Sequence, residues 1–365
     1  MSGPPRFRSF LTFLATLGVA LPSLAVAHQH DDDHALTVFV SAEHVEHEQA
    51  PAGTGGMQED SSLLADFLIG VRHERFRLLG EFVLGNDDHE FERLQLGYET
   101  SDSSTLWLGR YHQPASVWNV VYHHGQFVQT SVTRPWMEDW EDKGGALPQH
   151  NVGLLYETEF AGRSDSLWRL STSFGLAPTL KPHELEDIAP FTGTYRGAGT
   201  TTSARIEWLP RAVGEDSLGL VVSRSQINAD YRPAGARTRL DLEMLGGFLT
   251  LHRERLRGLA VVYLLDFRNT NADATPIRER HLAGYAQLDF EISEYLTLYG
   301  RQEDSSARRS AYLSQFPMAA ARRTLAGARY QIGRWNALSL EVSRRTPFNG
   351  NTFGEVRAQW SAVIP

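Results

Sequence analysis

Histidine is the side chain best suited to hold a transition metal or carry a proton near neutral pH. This chain concentrates its histidines in two places. The first is HQHDDDH, His28 to His34, with His44 and His47 following in AEHVEHE. Imidazoles interleaved with carboxylates suit Zn²⁺, Ni²⁺, Cu²⁺ or Co²⁺, so His28, His30 and His34 are candidate metal ligands. The competing reading is a hydrophilic leader that needs no metal, and no other cofactor is expected. The second is HQPASVWNVVYHHGQFVQTSVTRPWMEDWEDKGGALPQH, His112 to His150, which holds four histidines, three tryptophans and a run of acids. Connections this long without structure of their own are uncommon and usually functional, and the aromatic content argues against disorder. Rings of acids attract cations and rings of arginine attract anions. The residues here that could narrow and charge a passage are His112, Trp118, His123, His124, Arg134, Glu138, Asp139, Glu141 and Asp142. Ser131 beside His123 and His124 has the parts of a nucleophile–base pair, but no G-x-S-x-G elbow accompanies it, and the chain is not expected to be an enzyme.

The surroundings of these residues limit what they can do. Arg6 and Arg8 precede the apolar run FLTFLATLGVALPSLAVA, which closes in Ala25-Val26-Ala27. That is the pattern of a secretory signal, so residues 1–27 are expected to be removed and 28–34 to form a His/Asp-rich leader. Cysteine is absent, which excludes disulfides, thiolate metal sites and a Cys nucleophile. Without Arg6 and Arg8 there are 33 basic residues against 44 acidic ones, a poor balance for a nucleic-acid partner. After the signal no apolar run is long enough for a transmembrane helix.

Periodicity supplies the elements instead. In FERLQLGYET, Leu94, Leu96 and Tyr98 alternate with Arg93, Gln95, Gly97 and Glu99. Period two gives a β-strand one apolar and one polar face. Sixteen such segments lie near 35–42, 63–72, 75–84, 91–100, 104–111, 151–160, 166–176, 201–210, 216–225, 239–252, 256–267, 281–291, 295–303, 322–332, 336–345 and 353–364. One of them, Leu259–Phe267, is apolar on both faces.

The links between segments take turns in length. Those at 43–62, 112–150, 177–200, 226–238, 268–280 and 304–321 are long, and those between are short. Long loops at one rim, short turns at the other and an even strand count define an all-β fold, a transmembrane antiparallel β-barrel over residues 35–365 in a Gram-negative outer membrane. The apolar stripe would meet outer-membrane lipid, and the polar stripe would line a water-filled lumen. Arg93, Glu157, Arg205, Glu207, Asp241, Arg329 and Arg357 are the expected lumen residues. Aromatics near strand ends, among them Trp107, Tyr111, Phe160, Trp168, Trp208, Tyr295, Tyr299 and Trp335, are candidates for interfacial girdles.

The arrangement resembles the sixteen-stranded Gram-negative porins, and the stretch GRYHQP…WNVVYHHGQ…TSVTRP…EDKGGALPQHNVGL, Gly109 to Leu154, resembles uncharacterised porin-like proteins related to the phosphate-selective porins. The resemblance implies that loop 112–150 folds inward as a constriction. It also implies passive diffusion of small hydrophilic solutes or ions, and assembly as a homotrimer. Lys143 and Lys181 are the only lysines, so a phosphate-selecting lysine ladder is not carried over. The rival reading is a metal-binding outer-membrane protein, for metal uptake or surface capture, whose barrel is an anchor.

Overall fold

The computed structural model describes residues 34–47, 59–86, 89–122, 125–141, 144–181, 184–188, 198–229, 237–271, 277–307, 310–316, 318–348 and 350–365. The expected signal, His28, His30, His123, His124 and Asp142 lie outside the described residues.

Among the described residues there are eighteen strands. They are β1 (His34–His47), β2 (Glu59–His73), β3 (Phe76–Gly85), β4 (His89–Ser101), β5 (Ser104–His112), β6 (His150–Ala161), β7 (Leu167–Ala177), β8 (Thr179–Lys181), β9 (Glu184–Glu186), β10 (Gly199–Leu209), β11 (Ser217–Asn228), β12 (Arg237–Arg253), β13 (Leu256–Asn271), β14 (Ile277–Glu291), β15 (Leu296–Ser305), β16 (Ala320–Ile332), β17 (Asn336–Pro347) and β18 (Phe353–Ile364). β8 and β9 pair only with each other; the other sixteen close one antiparallel barrel, with β1 sealed against β18 from Val38–Ile364 to His47–Glu355. Every segment expected from alternation is a barrel strand, and several run further, as 35–42 does in becoming His34–His47. Closure follows from the solvent, because lipid offers no partner to backbone N–H and C=O groups.

Alternation sorts side chains to the two faces. In β11, Leu218, Leu220 and Val222 are exposed while Ser217, Val221, Ser223 and Ser225 are buried. Around the wall, Leu96, Leu108, Leu154, Phe174, Leu220, Leu282 and Val342 are between 46% and 60% exposed. A continuous apolar exterior of this kind is built for lipid. At the short-turn end Phe160, Trp168 and Trp208 form a stacked and tilted row, with centroid spacings of 6.4 Å. Tyr295 and Trp335 are exposed at the same rim, as a girdle requires. Trp107 and Tyr299 do not belong to a girdle. They point inward, where Trp107 Nε1 donates to Glu157 at 2.9 Å and Tyr299 Oη donates to Glu341 at 3.2 Å.

β12 corrects one expectation. Leu240, Leu242, Met244 and Phe248 are buried on its inner face, and Leu245 and Leu249 are exposed on its outer face. Asp241 shares the outer parity, so it does not line the lumen; it pairs with Arg239 at 2.6 Å. Alternation alone would turn the apolar stripe of β12 to lipid, yet Leu240, Leu242, Met244 and Phe248 face inward, because a second apolar surface inside the barrel covers them. The same surface explains why β13 is apolar on both faces.

The short links Glu74–Arg75, Pro210–Asp216 and Glu254–Arg255 share one rim with the chain ends, where His34 pairs with Val71 and Ile364 with Val38. Val213, in one of these turns, is 97% exposed, and Asn351 is exposed in a link on the opposite rim. A cysteine at Asn351 is expected to react with an impermeant thiol reagent on intact cells. One at Val213 should react only after the outer membrane is permeabilised, and the reverse result would invert the orientation.

Candidate functional site

The chain between β5 and β6 is the surface that covers β12 and β13. It leaves the wall after His112, forms short helices at Val117–Val121 and Gly125–Val128 and a single 3-10 turn at Trp136–Glu138, and returns at His150. Its apolar residues Ala115, Val117, Trp118, Met137 and Leu147 join Leu242, Met244, Phe248, Val261 and Tyr263 in one buried cluster. Each large side chain buried in this way contributes about 1.5–3 kcal/mol. Trp118 stands edge-on to Tyr285 at 5.8 Å, Trp136 edge-on to Phe348 at 5.7 Å, and Phe127 lies 6.4 Å from Phe39.

Polar contacts fix the loop to the wall opposite its origin. Glu138 accepts from Tyr263 Oη at 2.7 Å, Tyr285 Oη at 2.8 Å, Ser116 Oγ at 2.7 Å and the Trp118 amide at 2.7 Å. Burial pushes its carboxyl above the usual carboxylate range, and the hydroxyl donors pull it part of the way back. Glu341 of β17 accepts from Thr133 Oγ1 at 2.6 Å and from the Val132 amide at 3.0 Å. Glu303 of β15 accepts from the Trp136 amide at 3.0 Å and from Arg301 Nε at 2.9 Å. Arg301 donates onward to the carbonyls of Thr133 and Arg134, both at 2.8 Å, and to Ser131 Oγ at 3.0 Å. Arg329 donates to the Phe127 carbonyl at 2.7 Å and Thr130 Oγ1 to Asp289 at 2.7 Å.

The structure separates the residues singled out from sequence. Trp118, Glu138 and Glu141 are at most 1% exposed and are taken up in holding the loop, as are Arg329 and, across β6, His150. Arg134 donates to Asn119 Oδ1 at 2.6 Å and lies 3.8 Å above Trp140; Asp139 is 9% exposed. His112 sits at the loop's root, its ring 5.0 Å from both Trp140 and His150. Away from the strands the loop docks on, the inner face carries paired charges: Arg93 with Glu81, Arg205 with Glu207 at 3.2 Å, and Arg357 with Glu43 at 2.7 Å. Towards the short-turn mouth, Glu157 is exposed and Arg169 pairs with Glu159 at 2.7 Å. Sequence reading missed Glu303, Tyr263, Tyr285 and Arg323, which donates to the Arg134 carbonyl at 3.2 Å, as anchors of the loop. For Tyr263 the signal was a strand, β13, apolar on both faces, which announces a second partner inside.

At the root of the loop, three buried residues bring ligand-type atoms within 4.8 Å of one another: Glu92, His112 and His150. His112 and His150 are direct partners across β5 and β6. Glu92 is the extra residue of a bulge, since Glu81 pairs with Arg93 and Phe82 with Phe91. Gly109, at φ 141°, lets β5 close on β4: a β-carbon there would lie 2.0 Å from the Leu94 carbonyl oxygen.

No protein-family model matches the chain, and no curated protein matches it in sequence. Solved structures do match in fold. The trimer form of in-vitro folded OmpT, an outer membrane protein of Vibrio cholerae, gives a TM-score of 0.55 at 9% identity, covering 90% of this chain and 98% of that one. The anion-selective porin from Comamonas acidovorans gives 0.57 at 9% identity, covering 90% and 99%. The outer membrane channel DcaP of Acinetobacter baumannii gives 0.53 at 12% identity, covering 91% and 96%. The fold is that of the porin-like outer-membrane β-barrels of Gram-negative bacteria.

Proposed function

We propose that this barrel is a passive pore, not an enzyme, through which small hydrophilic solutes or ions diffuse, with residues 113–149 as its constriction. The observation that carries the proposal is the loop itself: it docks on the inner faces of β13 to β17, while the inner faces of the remaining strands carry polar and paired-charge side chains. Ion pairs such as Glu81–Arg93 and Arg205–Glu207 set opposite charges side by side on that inner face, which suits a path for hydrophilic solutes better than for apolar ones. Opposite charges set in pairs cancel much of each other's field, so selectivity between cations and anions should be weak. The fold neighbours described as a porin and a channel support the same reading, and the one described as a trimer supports a homotrimeric assembly.

Planar-bilayer recording of the purified protein tests this. Stepwise conductance is expected, with a small reversal potential under a salt gradient. Insertion without any conductance would replace the pore by a barrel that serves only as an anchor. In that case the metal-binding reading of the His28–His34 leader would take its place.

A further inference from the structure

We propose that Glu92, His112 and His150 form a binding site for a divalent transition-metal ion of the Zn²⁺ class, which clips together the two ends of the loop. His150 Nε2 lies 2.7 Å from Glu92 Oε2. Its other ring nitrogen, Nδ1, lies 3.0 Å from Glu141 Oε2, while Glu141 Oε1 accepts the His150 amide at 2.9 Å. A carboxylate on the far nitrogen is the arrangement that orients a ligating histidine and raises its basicity. Two imidazoles and one carboxylate are a recurrent zinc set with room for a fourth ligand. Ligands about 2.1 Å from a tetrahedral ion stand about 3.4 Å apart, a spacing that small side-chain rotations reach from the 4.8 Å limit found here. The ion would displace the proton shared by His150 Nε2 and Glu92 Oε2, so one carboxylate and two neutral imidazoles would face a 2+ charge.

Three further observations favour a built site. Glu92, His112 and His150 are 5%, 7% and 4% exposed, which is rare for three ionisable groups on one patch. Trp140 covers both imidazoles, at 5.0 Å from His112 and 4.7 Å from His150. Arg110, a cation at the cluster's edge, is already held by the carboxylates of Glu90 and Asp187 and by the Glu92 carbonyl at 3.0 Å. The site also has a mechanical meaning. His112 ends β5 and His150 begins β6, so an ion shared by both would reinforce the strand pair at the point where the loop leaves the wall.

The test uses the mature, folded protein in detergent with His28, His30 and His34 changed to Ala, which removes the leader as a competing ligand. Titration with Co²⁺ alone should show one equivalent bound per chain, with the intense visible absorption of a four-coordinate ion. Glu92→Gln and His112→Asn should each weaken that binding by about tenfold or more, with folding followed by heat-dependent electrophoretic mobility. X-ray absorption on the Zn²⁺-loaded background protein needs no change in the site; it should show two imidazoles and a carboxylate oxygen in the first coordination shell. Equal Co²⁺ binding in the background protein and both site variants would overturn the proposal. So would absence of stoichiometric binding, or a shell without two imidazoles.

Discussion

Replacing residues 117–139 by a short Gly-Ser linker is expected to raise single-channel conductance by about twofold or more, because a sixteen-stranded barrel without an inward element is a wide aqueous channel. The segment contains both short helices, Trp118 and Trp136, and the loop residues Val132, Thr133 and Trp136 that bond to Glu341 and Glu303. Its removal uncovers the apolar inner face of Leu242, Met244, Val261 and Tyr263, which disfavours the barrel in water. For that reason the deletion is best paired with a milder variant, Glu341→Ala. This leaves the apolar contacts in place and removes the acceptor for Val132 and Thr133. The milder change should give a mixture of low and high conductance levels in one channel, and the deletion the high level alone. Conductance unchanged in both, with the barrels folded, would place the loop outside the conducting path.

How much of this was legible in the sequence depends on how many partners each strand has. Where a strand has lipid on one side and water on the other, as in FERLQLGYET or β11, the two faces read directly from alternation. Length of link then orders the strands around the ring, since antiparallel neighbours in a barrel follow one another in the chain. Reading failed where the inner face has a protein partner instead of water. Leu240, Leu242, Met244 and Phe248 pack against the loop, so β12 turns its charged residues Asp241 and Glu243 outward, above the apolar belt. Alternation still holds there, but its polarity is reversed, and no property of β12 alone shows it. β13 carried the clue, being apolar on both faces.

The acids of the loop were misleading for a related reason. A run such as MEDWED suggests a charged ring facing solvent. The fold instead spends Glu138 on Tyr263, Tyr285, Ser116 and the Trp118 amide, and Glu141 on the Gln149 and His150 amides and the His150 ring. Backbone amides in a loop without regular structure need acceptors once buried, and carboxylates supply them. The wall does the same from its side through Glu303 and Glu341. A buried irregular loop therefore demands acids whether or not it conducts ions, and composition alone does not separate the two uses.

Arg301→Met is expected to undock the loop more than any other single change in the wall. The guanidinium is fully buried beside Glu303, lies 5.1 Å from the Trp118 ring, and bonds the carbonyls of Thr133 and Arg134, Ser131 Oγ, Thr133 Oγ1 and Gln287 Oε1. Methionine fills similar volume but leaves Glu303 charged, with the Trp136 amide and the more distant Arg323, at 3.8 Å, as its partners. Breaking a buried pair from one side typically costs about 3–5 kcal/mol. At about 1.4 kcal/mol per tenfold, that shifts the docked-to-undocked ratio by roughly a hundredfold to a few thousandfold. Open-channel current should become noisy, with frequent steps to a larger conductance, and a protease should cut within 125–141 faster than in the unaltered protein. Adding Glu303→Gln removes the stranded charge and should recover part of the docking, whereas Arg301→Lys should recover little, because an ammonium cannot reach the planar set of acceptors that the guanidinium bridges. Quiet recordings and unchanged proteolysis in Arg301→Met would show instead that the apolar cluster around Trp118 holds the loop by itself.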